Sequence, residues 1–251
     1  MGKSKILKII DNNQEKFQRL MDAAANGGWR RQKRTSPAAC YGYVKNQLFR
    51  ENKILTPSLE SLVGQNAETI AKFEQNYNYI HSQQSTFDYI IQTADKPIDL
   101  HQIIAIHNKL AENTSLSGGI IRNKPVGFML NIEPPEPDRI YNKMENICWQ
   151  LDNEIPGTHP ADVAIQVHYD IIITQPFFDY NKRTARMVTN QYLIKKGYVP
   201  IFFNKPEDAT EYFDALRNKN DEGGEQAYKD YMYYVIIRCQ EKLIDVLSAS
   251  I

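Results

Sequence analysis

Cysteine is scarce in this chain of 251 residues, three in all. Cys40, Cys148 and Cys239 are too widely spaced, and too odd in number, for a disulfide framework or a metal cage, so reduced structural thiols are expected. An excess of charge of either sign is also missing. Lys+Arg and Asp+Glu stand at 30 each, so no global field draws the chain to nucleic acid or a membrane surface, and any anion site must be local. Apolar runs stay far short of the roughly 20 residues a membrane span needs. The start Met1-Gly-Lys-Ser-Lys5 lacks a signal-peptide pattern, which makes the cytoplasm the default expectation. The one basic run, Trp29-Arg-Arg-Gln-Lys-Arg34, is short and isolated and reads as a solvated loop rather than a nucleic-acid site.

What remains is a hydrophobic content of 42%, enough for a sizeable core, arranged almost wholly at helical spacing. Strand-like alternation is rare, so the chain reads as all-α. Helices are expected over residues 5–24, over a short stretch near 40–52, and from 66 to 91, where Ile70, Phe73, Tyr77 and Ile80 form one face. Asp99 is placed to cap the next helix, which carries Ile103, Ile104, Ile106, His107 and Leu110. The glycines and β-branched residues of 117–132 break the pattern and read as a short β-hairpin or flap near 118–132, closed by Pro134-Pro135. A helix over 137–153 follows, with Ile140, Met144, Ile147 and Leu151 as its stripe. Thr158 is expected to cap the next, with Pro160 in its first turn and Pro176 as its stop. A helix runs on to Lys196 and is ended by Gly197. Residues 206–217 and 225–248 supply the last two.

The densest chemistry lies at residues 174–188, on the border of two of these helices. Asp179, Asn181, Lys182, Arg183 and Arg186 fall within eight residues behind Pro176-Phe177-Phe178. Arg183 and Arg186 are three apart at a helix start, so they share a face and can grip phosphate with planar guanidinium groups. The first-turn N–H groups add a positive dipole end. Asp179 could hold a magnesium ion that bridges phosphate oxygens, and Asn181 could bond one of those oxygens. The plainer alternative is an Asp179–Arg183 salt bridge with Asn181 as a cap.

These residues resemble the Fic family signature, H-P-F-x-D/E-G-N-G-R-x-x-R. The likeness continues upstream through Ala164-Ile-Gln-Val-His168-Tyr-Asp-Ile-Ile-Ile-Thr-Gln175, where His168 falls at a position that is usually structural, and downstream through Leu193-Ile-Lys-Lys-Gly197-Tyr-Val-Pro200. Gly119-Ile-Ile-Arg122-Asn-Lys-Pro-Val126 is similar to the family's flap, which implies that Gly119, Arg122 and Val126 contact a protein target through strand-like bonds. The resemblance covers roughly residues 55–245 and implies a Fic-fold helical bundle over 56–251, preceded by a helical extension over 1–55. It further implies AMP transfer from ATP, with magnesium, to target hydroxyls, and a nucleotide held by Phe177, Asp179, Asn181, Lys182, Arg183 and Arg186.

Three departures qualify the activity. Gln175 stands where the family has the histidine that takes the hydroxyl proton, and an amide has no ionisable proton near neutral pH. Tyr180 and Lys182 replace the two glycines beside Asn181. The Asn-Lys-Arg-Thr run is similar to the Doc branch, which phosphorylates, whereas Arg186 fits the adenylylating pattern. A single engineered inactivation at Gln175 would not account for three changes. The family's inhibitory helix has its nearest match at Leu59-Glu-Ser-Leu-Val63-Gly64, with valine in place of the inhibitory glutamate. The expectation is a nucleotide- or protein-binding pseudoenzyme, the alternative an active transferase, adenylylating or Doc-like, with another base.

Overall fold

The computed structural model describes residues 2–26, 42–43, 67–127, 133–203 and 206–249. Eight helices are described among them: α1 (Lys3–Asn26), α2 (Ala67–Gln92), α3 (Leu100–Ala111), α4 (Pro137–Asp152), α5 (Pro160–Thr174), α6 (Asn181–Lys195), α7 (Pro206–Arg217) and α8 (Gly224–Ser248). Of the expected short helix near 40–52, residues 42 and 43 are described and are helical, whereas the inhibitory-helix match at 59–64 and the side chains of Ile70, Phe73, Tyr77 and Ile80 lie outside the described residues.

Local sequence sets most of the boundaries. Asp99 caps α3, its Oδ1 accepting the Gln102 N–H at 2.8 Å. Pro137 and Pro160 open α4 and α5, where a missing N–H costs little. At the end of α6 the chain turns left-handed at Gly197, φ 79°. There Tyr198 N–H donates to Leu193 O at 2.7 Å and Gly197 N–H to Ile194 O at 2.9 Å, the paired bonds of a Schellman cap.

The cap of α5 differs from expectation. His159 takes that place instead of Thr158, its Nδ1 accepting the Ala161 N–H at 3.0 Å. The reason is tertiary: its Nε2 lies 2.9 Å from Asp11 Oδ1 on α1, which fixes the ring at the helix start.

The centre of the fold is the α5–α6 pair, with α4 packed on α5, α2 and α3 on α6, and α8 joining α5 to α1. Between them lie the fully buried Ile103, Ile106, Ile140, Met144, Ala164, Ile171, Phe177, Ala185 and Leu243. Ile10 of α1 belongs to the same core, and Gln240 Nε2 donates to its carbonyl at 3.0 Å. Some buried amides tie neighbouring segments together. Asn190 donates to Ile201 O at 3.0 Å and accepts from Ile201 N–H at 2.8 Å, pinning the chain after α6 as a neighbouring strand would. Gln102 and Gln191 share Thr93.

No hairpin forms among the described residues of the expected flap, and 128–132 lie outside them. Among the described residues, 117–127 make turns and one isolated antiparallel bridge, Ile121 to Phe177, which pairs this segment with the signature loop. Gly118 allows this course, because a Cβ there would stand 2.8 Å from Asn108 Cα of α3.

Asn190→Ala would strand a buried N–H and a buried carbonyl at Ile201. A loss of about 2–4 kcal/mol in urea unfolding is expected, since each orphaned group costs about 1–3 kcal/mol.

Candidate functional site

The loop from Gln175 to Tyr180 joins the C-terminus of α5 to the N-terminus of α6 and is bracketed by two left-handed residues that carry side chains. Gln175 has φ 46° and Tyr180 φ 60°. Holding a non-glycine residue there costs about 1–2 kcal/mol, so the loop needs strong internal bonds.

Asn181 supplies three of them. Its Oδ1 accepts the Phe177 N–H at 2.9 Å, and its Nδ2 donates to Phe177 O at 2.8 Å and to Gln175 Oε1 at 3.0 Å. With 3% exposure the amide braces the loop from within. Gln175 is fixed at its other end too, its Nε2 donating to Ile172 O at 2.8 Å.

Arg122 is the second brace. Its guanidinium, 2% exposed, donates to Gln175 O at 2.6 Å, Pro135 O at 2.6 Å, Lys124 O at 3.0 Å and Thr174 O at 3.3 Å. Its backbone N–H also donates to Pro176 O at 2.9 Å. A cation among carbonyls at a helix C-terminus complements the helix dipole. The side chain expected to meet a target is therefore inside the fold, tying the flap to the end of α5. Of the other two flap residues, Gly119 is engaged through its backbone and Val126 is half-buried.

His107 is a residue of the site that the sequence reading treated only as part of a helix stripe. Its ring stacks on Phe177, centroids 3.7 Å apart and planes 7° from parallel. Nδ1 accepts the Gly119 N–H at 2.8 Å, which leaves the proton on Nε2 to donate to Asp179 O at 3.1 Å. One neutral imidazole thus joins α3, the flap and the loop. Burial lowers its pKa from 6.5 to about 4, outweighing the Asp179 carbonyl and the Asp179 charge, which raise it. The i, i+4 placement of His107 after Ile103 gave no signal of this role beyond burial. His168 is likewise neutral and enclosed between Tyr228 Oη at 2.9 Å and Tyr212 Oη at 3.2 Å. Burial, and after it the charge of Arg186, lower its pKa to about 3.

The outward face of the loop carries the charges. Asp179 is exposed, its Oδ1 accepting the Tyr180 N–H at 2.6 Å. Tyr180 gives α6 no side-chain cap, so the first-turn N–H groups keep their positive end. Arg183 lies over the Tyr180 ring at 4.2 Å, Arg186 over Phe203 at 4.7 Å, and Lys182 Nζ is 5.5 Å from the Phe213 centroid. Aromatic faces steady these cations while leaving their charge in place. Burial lowers the Lys182 pKa, Asp179 opposes that and Arg183 adds to it. The loop is thus a rigid turn with a positive helix end and a carboxylate beside it, an arrangement suited to a phosphate with a bridging cation.

The family model of the Fic/DOC family matches residues 97–193, from the start of α3 to the end of α6. The chain is 25% identical to a protein adenylyltransferase Fic of Nematostella vectensis over 97% of its own length and 56% of the relative's. It is 24% identical to one of Drosophila yakuba over 96% and 47%. It thus spans about half the length of these curated relatives. Among solved structures it resembles Fic-1 of C. elegans, with a TM-score of 0.72, 18% identity, and 99% of this chain and 73% of that one covered. It also resembles a Fic domain containing signaling protein of Bacteroides thetaiotaomicron, with a TM-score of 0.74, 16% identity, and 96% and 98% covered. The likeness to solved structures carries the fold.

Because His107 binds fewer protons when folded than when unfolded, the stability it gives is complete above pH about 6.5 and is lost as pH falls toward 4. Urea midpoints should therefore fall across that window, and His107→Gln should reduce the slope to the part that His168, lowered to about 3, contributes. Imidazole nitrogen NMR at pH 6 should show an unprotonated Nδ1, and an imidazolium there would refute the assignment.

Arg122→Met should cost about 3–5 kcal/mol, because buried carbonyls such as those of Gln175 and Thr174 lose a charged donor, worth about 1.5–3 kcal/mol each. Urea unfolding checks it, and a loss below about 1 kcal/mol would contradict the bracing role.

Proposed function

We propose, from the match of the Fic/DOC family model to residues 97–193, that the chain is a nucleotide-binding relative of the protein adenylyltransferases whose transfer chemistry is impaired. The observation that carries this reading is the state of Gln175. In this reading it takes the place of the family's proton acceptor; both ends of its amide are engaged, by Ile172 O of α5 and Asn181 Nδ2 of α6, and it is 9% exposed. An amide so held neither ionises nor turns toward a hydroxyl.

No nearby imidazole replaces it. Both nitrogens of His107 are engaged, and His168 is enclosed by two tyrosines. The alternative, an active transferase of adenylylating or Doc-like type, draws on Asp179, the exposed carboxylate of the loop, as its base.

In the proposed function the ligand is ATP or another nucleotide. Its phosphates meet the first turn of α6 with Lys182, Arg183 and Arg186, while Asn181 and Phe177 shape the loop beneath. Among the described residues no three His, Cys, Asp or Glu side chains cluster to hold a metal. Asp179, the exposed carboxylate of the loop, would hold a magnesium ion carried in with the nucleotide. A protein target would meet the flap side. Residues 56–251 form the Fic unit in this reading, and 1–55 an N-terminal extension with α1 packed on α8. No helix among the described residues is long and apolar enough to cross a membrane, and action in the cytoplasm, or after delivery from it, is part of the proposal.

Incubation with radiolabelled ATP and magnesium should give negligible labelling of the chain or of added proteins. Strong labelling that Arg183→Ala abolishes would favour the active alternative. Replacing Arg183 and Arg186 together with alanine should weaken nucleotide binding at least about tenfold in calorimetry, given the strength of charge-assisted hydrogen bonds.

Gln175→His alone should stay nearly inactive, because it breaks the bond to Asn181 while Tyr180 and Lys182 persist. Gln175→His with Tyr180→Gly and Lys182→Gly should gain detectable adenylylation, since loop donors to a developing charge are each worth about 10²–10³-fold. A strongly active single revertant would mean that the loop is sound.

A further inference from the structure

The helix α4 has two faces of different kinds. Its buried stripe, Ile140, Met144, Ile147 and Leu151, belongs to the core, where α4 packs on α5 and α3. On the outer side two large aromatic side chains stand in the open, Tyr141 and Trp149, each 55% exposed. Glu145, also exposed, lies midway between them, four residues from either. Residues four apart on a helix are surface neighbours. The carboxylate is thus flanked along the helix by two aromatic rings. Asp138, exposed and two turns before Glu145, continues the same stripe.

Charge on this helix is divided between its edges. At 3.6 residues per turn Asp138, Glu145 and Asp152 fall within about 40° of one another, whereas Arg139 and Lys143 fall roughly 100–180° away from them. Asp152 is paired with Lys195 at 3.0 Å, and Asp138 and Glu145 enter no ion pair among the described residues. Burial, and after it the charges of Asp99, Glu145 and Asp152, push the neighbouring Cys148 thiol up to about 12, so the negative field reaches this edge of the helix.

An exposed carboxylate between two aromatic rings selects a cation, which is drawn by the charge and by both ring faces. A planar guanidinium meets both demands at once. The same acidity repels nucleic acid and anionic lipid. A second copy of the chain also fits poorly: in the antiparallel pairing that sets Tyr141 against Trp149 twice, Glu145 stands on the two-fold axis facing its own copy. Two turns separate Asp138 from Glu145, about 10 Å, the span that positions i and i+7 of a partner helix reproduce.

We infer that the outer face of α4 docks a basic helical segment of another protein, which lays one arginine over Glu145 between Tyr141 and Trp149 and turns a second, seven residues away, toward Asp138. The surface shares no residue with the proposed nucleotide site and stands apart from that reading.

Three alanine-based helical peptides and the full chain test it. The first peptide carries two Arg seven residues apart, the second Glu at both places, and the third the two Arg two residues apart, on opposite faces. Trp29 and Trp149 are the chain's two tryptophans, so a Trp29→Phe variant makes the fluorescence a direct report from α4. A saturable blue shift is expected with the first peptide, as the Trp149 ring leaves water, with the second and third weaker by at least about tenfold. Glu145→Gln and Tyr141→Ser, each added to Trp29→Phe, should weaken the first peptide by about tenfold, with an unchanged melting temperature because both side chains are exposed. No binding of the first peptide, equal binding of the first and third, or undiminished binding by both variants would overturn the docking site. Concentration-dependent self-association that Trp149→Ser abolishes would give the face to a second copy and likewise overturn it.

Discussion

A six-residue turn that reverses the chain between α5 and α6 while hiding Phe177 is the constraint on which the rest of the structure depends. It requires left-handed backbone at Gln175 and Tyr180, neither of them glycine. The strain of about 1–2 kcal/mol at each is offset by hydrogen bonds of the kind worth about 1 kcal/mol apiece, more when a charge takes part. The Asn181 amide supplies these from inside, and the Arg122 guanidinium from the flap side. The flap thus cannot be placed independently of the loop, because the cation that caps α5 is one of its own residues.

The same demand for internal satisfaction removes candidates for chemistry. A buried polar group left unpaired is costly, so Asn181, Gln175, His107 and His168 each spend their donors and acceptors on holding elements together. His107 shows the trade plainly. Its neutral ring is required by the Gly119 N–H at Nδ1, and the bond from Nε2 to Asp179 O fixes the tautomer. An imidazole so used has no free lone pair for a substrate proton. The cations at the start of α6 are half-buried and rest on aromatic rings, near the helix end where an anion would meet the dipole. Rigidity beneath and positive charge above suit binding better than proton transfer.

The sequence by itself determined the all-helical class and nearly every described boundary. Periodicity, Asp99 as a cap, prolines in first turns and Gly197 as a terminator act over a few neighbouring residues, and the chain carries them in plain order. It also determined that the cations of the motif open a helix, because the spacing of Arg183 and Arg186 and the Pro176 break are local facts. Only the tertiary structure decided which way the side chains spend their bonds. Arg122 reaches Gln175, 53 positions away, His107 reaches Asp179 across 72, and His159 displaces Thr158 as the cap because Asp11 lies 148 positions back. The flap follows the same rule: among its described residues Ile121 pairs with Phe177 of the loop, which α3 and Gly118 bring alongside. Local propensity has no knowledge of such partners. They exist once the core has closed, when each buried donor and acceptor must find its complement among groups that the sequence holds far apart.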